Sequence, residues 1–258
     1  NIFIGQSESP IAIKPFLSSM TKSEIFAVMV GGMATVSGSV LGGYAAAGIE
    51  MHYLIAASFM AAPAGLMMAK LIRPEVEGQN SDQAHVHEDI VEQRAVNVID
   101  AAALGALQGM QLAFAIGALL LAFIGLIAMM NGIIGWFGGL VGLETLTLQQ
   151  ILGYLFQPVA FLIGVPWEET RQVGSLLGQK FMLNEFIAYL DFVVNHQNLS
   201  ERTQAIVTFA LCGFACLSSI AIVVGGIGVL APERREEMSE LGLLAVIAAT
   251  LANLMSEI

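Results

Sequence analysis

The stretch GMATVSG, residues 32–38, decides how this chain is read. A capping-box pair, Thr21 and Glu24, opens an apolar helix ahead of it, and apolar sequence resumes behind it. A membrane span broken in its middle frees backbone groups, which is tolerated only where protein or water surrounds them. The pattern returns as GFACLSS, residues 213–219: glycine, bulky, alanine, small, aliphatic, serine, small. Each copy follows an isolated carboxylate, Glu8 or Glu185, by about thirty residues. Two halves that share a break and an upstream acid predict a repeat, inverted in the membrane, of the kind secondary transporters use.

Composition sets the medium. Hydrophobic residues are 56% of the 258 and charged residues 12%, about half the charged share of a soluble domain. Several apolar runs approach or exceed the ~20 residues that cross a bilayer, and they are continuous rather than alternating. The fold class is therefore all-α: a polytopic helical membrane protein with re-entrant hairpins and broken transmembrane helices, multi-pass in the cell membrane and bathed in its lipid. Much of the net charge of -11 lies in RPEVEGQNSDQAHVHEDIVEQR (73–94) and PERREEMSE (232–240). These solvated connections argue against a nucleic-acid partner and against anionic lipid held by a basic surface. Cys212 and Cys216, four apart in an apolar run, read as buried thiols. A chain that starts at Asn1 inside a motif is expected to be a fragment, with further membrane helices ahead of it.

Working outward, residues 8–20 make half a helix at most, and 52–72 an ordinary span closed by Lys70 and Arg73. Residues 97–130 give one long, tilted helix whose glycine and alanine rows suit close packing. Beyond it the glycine-rich GIIGWFGGLVGLETLTLQQ breaks the regularity, and the run 148–165 stops at Gly164-Val165-Pro166. A polar half-helix, an apolar segment that starts with Asn184-Glu185, a broken span over 201–231 and a closing helix over 241–254 follow. The expected parts are 1–72 (first hairpin end, interrupted helix, span), 73–95 (polar connection), 96–131 (scaffold helix) and 132–258 (second hairpin, second interrupted helix, last span).

Glu8 sits in GQSESP, residues 5–10, where glycine and proline suggest a hairpin tip. An acid at membrane depth normally faces a polar pathway, and Gln6 beside it offers an amide suited to hydrogen-bonding edges of a solute. The competing reading leaves Glu8 in a surface loop. Glu185 suits a vicinal diol, since a carboxylate accepts two hydroxyl hydrogens. Lys180 is the residue that would neutralise it, although a separation of five is awkward on a helix. Ser218 and Ser219 lie at the second break, where a serine also commonly bonds its own i−4 carbonyl. Asn1, Thr35 and the carbonyls around Val30 and Val36 are neutral oxygens, suited to sodium rather than zinc; capping the break is the other role open to Thr35. His85 and His87 read as solvated loop residues.

GQSESP, GQKFMLNEFIAY (178–189), NVIDAAALGA (97–106) and ALCGFACLSSIAI (210–222) together resemble the concentrative nucleoside transporter family. The second stretch fits that family's signature of Gly or Ala, Lys two further on, then Asn-Glu-Phe after three residues. The resemblance implies a homotrimer that couples nucleoside uptake to a sodium or proton gradient by moving a transport domain against a scaffold, with no organic cofactor. It maps nucleobase contacts to Gln6, Ser7 and Glu8, and ribose contacts to Glu185 and Ser219. Cys216 stands where the family has an asparagine, and a thiol is a poor donor. Apolar contacts map to Val40 and Phe214, and the sodium ligands to Asn1, Val30, Thr35 and Val36.

Two rival readings are compatible with these residues. A membrane enzyme could use Glu8 and Glu185 as an acid/base pair, but no nucleophile–base pair or phosphate loop accompanies them. A passive channel subunit, or a proton-coupled carrier of another polar solute, would work without sodium.

Overall fold

The computed structural model describes residues 5–6, 9–75, 96–140, 146–195 and 198–256, and every regular element among them is helical. In chain order these are α1 (Ser9–Ala12), α2 (Lys14–Leu17), α3 (Lys22–Ala34), α4 (Gly38–Ala46), α5 (Met51–Ile72) and α6 (Val98–Leu140). Then come α7 (Leu148–Leu162), α8 (Thr170–Met182), α9 (Glu185–Asn195), α10 (Glu201–Leu211), α11 (Leu217–Leu230), a 3-10 turn (Pro232–Arg234) and α12 (Arg235–Met255). By contacts the chain divides into two compact units, Asn1–His85 with Gln149–Ile258, and Val86–Leu148. Among the described residues, Met51–Ile72 and Pro232–Met255 are long and apolar enough to cross a membrane.

The expected elements form where local chemistry asks for them. Thr21 and Glu24 make both capping-box bonds, Thr21 N–H to Glu24 Oε2 at 2.8 Å and Glu24 N–H to Thr21 Oγ1 at 3.1 Å. Gly31 and Gly32 stay helical, and the break falls at 35–37, where Thr35 turns extended (φ −99°, ψ 165°). Its counterpart falls at 212–216, with Cys216 likewise extended (φ −135°, ψ 162°). The order broken pair, then long closing helix, thus occurs twice: α3, α4, α5 and α10, α11, α12.

α3, α5 and α12 pack on one another, and α10 packs on both α5 and α12. Ala245, Ala248, Ala249 and Ala252 are fully enclosed at helical spacing on α12, small residues that let backbones approach where lipid offers no hydrophobic drive. One apolar cluster forms around Phe26, Met29, Met33 and these alanines. Another forms around Tyr44, Leu54, Leu176, Tyr189 and Leu211. On the far side of α5, Phe59, Leu66 and Leu71 are more than half exposed, as side chains that face acyl tails should be.

α8 and α9, joined by Leu183 and Asn184, pack together as a helical hairpin. At 1.5 Å per residue each arm is about 16–20 Å long, short of the ~30 Å hydrocarbon core. In the second unit α6 runs unbroken to Leu140, past the expected end at 131. Its late glycines each cost about 1 kcal/mol in a helix, less than the several kcal/mol of leaving backbone groups unsatisfied in lipid.

Candidate functional site

The α8–α9 tip carries the second acid. Asn184 caps α9 by accepting from the Ile187 N–H at 2.9 Å, which sets Glu185 in the first turn. There Glu185 is 7% exposed. Tyr44, from α4, donates its phenolic hydrogen to Glu185 Oε1 at 3.1 Å. The Lys180 ammonium is directed to the Ala210 carbonyl and to Asn253 Oδ1 at 3.0 Å.

The second break meets this tip. Ser218 Oγ donates to the Leu183 carbonyl at 3.3 Å. Cys216 Sγ lies 3.1 Å from both Ser218 Oγ and Ser219 Oγ, so the thiol sits in a small polar cluster rather than in apolar packing. α1 lies against α11. Shortly before α1, Gln6 is 8% exposed and its Oε1 is buried without a hydrogen-bond partner among the described residues. A buried amide oxygen left open costs about 1–3 kcal/mol, and a solute donor is one way to satisfy it.

Val40 and Phe214 are half-buried and pack against the same apolar cluster, which also holds Val36. Val30 is enclosed in the other cluster. Asn1, Ser7 and Glu8 lie outside the described residues, as do His85, His87 and His196.

At the first break the freed carbonyls are largely answered from within. Thr35 Oγ1 donates to the Gly31 carbonyl at 2.8 Å, Asn253 Nδ2 to the Ala34 carbonyl at 2.7 Å, and Ser58 Oγ to the Val36 carbonyl at 3.4 Å. With its hydrogen already donated, Thr35 Oγ1 has only lone pairs left to offer. An all-oxygen, uncharged donor set of this kind fits a loosely held monovalent cation. No cluster of three His, Cys, Asp or Glu occurs among the described residues.

Tyr44 and Asn253 are the residues that sequence reasoning passed over. Each is a polar side chain fully enclosed within apolar sequence, the signal by which intramembrane functional positions announce themselves.

Comparison with known proteins places the chain in a family. The family described as "Na+ dependent nucleoside transporter C-terminus" matches residues 53–258. The uncharacterised transporter YutK of Bacillus subtilis is 56% identical over 99% of this chain and 63% of its own length. The nucleoside permease NupC of Helicobacter pylori is 49% identical over 99% and 61%. The sodium/nucleoside cotransporter 1 of Rattus norvegicus is 40% identical over 99% and 42%. The chain therefore spans about six tenths of these bacterial relatives and less of the mammalian one. Among solved structures, CNTnw in an inward-facing substrate-bound state superposes with a TM-score of 0.91 at 54% identity, covering 99% of this chain and 60% of that one. A CNTnw variant in an outward-facing state gives 0.94 at the same identity, covering 99% and 62%.

Proposed function

Because the chain belongs to the Na+ dependent nucleoside transporter family, we propose that it forms the transporting part of a protein that carries nucleosides across the cell membrane on a sodium gradient. Glu185 carries this reading: it is a carboxylate buried at a hairpin tip, against a helix break, with the Tyr44 hydroxyl donating to Oε1. Such a group has acceptor capacity left for paired hydroxyls, as on ribose. Ser219 and the Cys216 thiol extend the polar side of the pocket, and Val40 and Phe214 its apolar wall. Gln6, with its open Oε1, reads the nucleobase edge together with Ser7 and Glu8.

Sodium is the coupling ion in this proposal. It binds between the Asn1 end of the first hairpin and the break after α3, on Thr35 Oγ1 and the carbonyls near Val30 and Val36. Ion and solute then share the first hairpin tip, so each raises the other's affinity by the same factor. A proton carried on Glu8 or Glu185 is the alternative coupling. The two short hairpins are re-entrant, and α6 belongs to a fixed scaffold against which the rest moves, in a homotrimer embedded in lipid. The Helicobacter pylori permease and the Rattus norvegicus cotransporter support nucleosides and sodium, and the two states of CNTnw support movement between faces of the membrane.

The test is uridine and adenosine uptake by the full-length protein in proteoliposomes, with and without a sodium gradient. Glu185→Gln should weaken nucleoside binding about tenfold, as loss of charge-assisted hydrogen bonds implies. Gradient-independent uptake, or wild-type affinity in Glu185→Gln, would overturn the reading.

A further inference from the structure

Glu185 takes an orienting hydrogen bond from outside its own hairpin. Its side chain opens a helix at a two-residue tip, where a free carboxylate would rotate among several rotamers. The bond from Tyr44 arrives from the other half of the repeat, on α4, one turn beyond Val40. Tyr44 has no exposed surface, and its ring is fixed on two sides. Tyr189 lies at 4.5 Å between ring centroids and Phe186 at 5.9 Å, both tilted, as aromatic pairs prefer. Tyr189 is anchored in turn by its hydroxyl, which donates to the Thr208 carbonyl at 2.7 Å. A phenol held this rigidly keeps its oxygen in one place, beside Glu185 Oε1.

From this geometry we infer that Tyr44 is a positioning residue: it fixes Glu185 through Oε1, so that the carboxylate's remaining lone pairs face the solute, and it thereby sets discrimination between ribonucleosides and deoxyribonucleosides. The inference rests on the reading of Glu185 as the ribose carboxylate. A carboxylate locked in one rotamer gives full value to a hydroxyl at the matching position and none to its absence. An unlocked carboxylate averages over orientations and loses that contrast. Tyr44 also ties α4 to the α8–α9 tip, so the ribose subsite is built from both halves of the chain.

The experiment measures Kd for uridine, 2′-deoxyuridine and 3′-deoxyuridine on the full-length protein by calorimetry, for wild type, Tyr44→Phe and Glu185→Gln. Tyr44→Phe keeps the ring and removes one oxygen. It should weaken uridine about fivefold while moving the less favoured deoxy analogue less than about twofold, so that the gap narrows. Replacement of Tyr44 by 4-aminophenylalanine, which keeps a ring-borne donor, should restore the gap. Glu185→Gln should narrow it at least as far.

A Tyr44→Phe variant that keeps the full gap while Glu185→Gln closes it would overturn the inference and leave the ribose assignment standing. Equal weakening of all three ligands would reduce Tyr44 to packing, which also overturns it. If neither variant alters the gap, the ribose assignment fails, and the positioning role fails with it.

Discussion

Asn253 of α12 accepts a hydrogen bond from the Lys180 ammonium at 3.0 Å while its amide nitrogen donates to the Ala34 carbonyl at 2.7 Å and the Cys212 carbonyl at 3.3 Å. One enclosed side chain thus satisfies backbone at both helix breaks and a buried charge between them. A Cβ on Gly213 would strike this amide and the Ala34 carbonyl, so glycine at the second break is what admits the knot.

Asn253→Leu should therefore destabilise the protein by more than a lost contact. Each buried group left unsatisfied costs about 1–3 kcal/mol, more for a charged one, so detergent-solubilised protein should melt several degrees lower. Lys180→Met on top of Asn253→Leu removes the stranded charge, and the double variant should lose less than the sum of the singles. Strictly additive losses would show that the two residues do not act as a pair.

The α7–α8 packing makes a second prediction. A Cβ at Gly174 would meet backbone of Gly153, Gln157 and Phe156, and one at Gly178 would meet the Leu152 side chain. Gly174→Ala should cost about 1–3 kcal/mol through overpacking, because backbone cannot step aside as a flexible side chain can. Gly42 on α4 has nothing within 4 Å, so Gly42→Ala should be neutral or slightly stabilising. Thermal melts of the two variants, side by side, separate seam from surface.

Acid should loosen the entry to α10. Glu169 accepts from the Ser200 N–H and the Ser200 hydroxyl, both at 2.9 Å. Partial burial pushes its carboxyl up, but these bonds and one from Thr203 outweigh that and hold it below the usual glutamate range. With the folded pKa depressed, the stabilisation is fully present above the unfolded value of about 4.3 and is lost as pH falls through the folded one. Glu169→Gln should lower the melting temperature near neutral pH and leave a shallower decline on acidification. An unchanged pH profile would remove Glu169 from the account.

Much of this was legible in the sequence because it rests on local rules. Thr21 with Glu24 announced α3, and GMATVSG and GFACLSS announced the breaks. The extension of α6 to Leu140 was not legible, since glycines that signal loops in water are cheaper than broken backbone in lipid. Tyr44 and Asn253 were missed for another reason. Their partners lie 141 and 219 residues away, for Glu185 and Ala34 respectively, and no local pattern encodes such pairs.

Cys216 offers a test of the ribose side. Its thiol already lies among hydroxyls, so Cys216→Ser changes donor strength with little change of shape. A hydroxyl is the better donor and acceptor, and one improved hydrogen bond is worth about 0.5–1.5 kcal/mol. Uridine should bind roughly two- to tenfold more tightly to Cys216→Ser. Unaltered or weaker binding would place the thiol outside the solute's reach.

Thr35 tests the ion. Its hydroxyl caps Gly31 and is the side-chain oxygen at the first break that the sodium reading uses. Thr35→Val keeps the branched shape and removes that oxygen, while Glu185, Cys216 and Ser219 stay as they are. If sodium and nucleoside are coupled, each raises the other's affinity by one common factor, so the variant should lower that factor in both directions. Nucleoside affinity measured without sodium should change little, and the sodium concentration for half-maximal uptake should rise about tenfold, as loss of a ligand oxygen worth ~1.4 kcal/mol implies. A second outcome is informative in its own right: uptake driven by a pH gradient, indifferent to sodium and to Thr35→Val. That result would move coupling to a carboxylate at a hairpin tip and leave Thr35 as a cap alone.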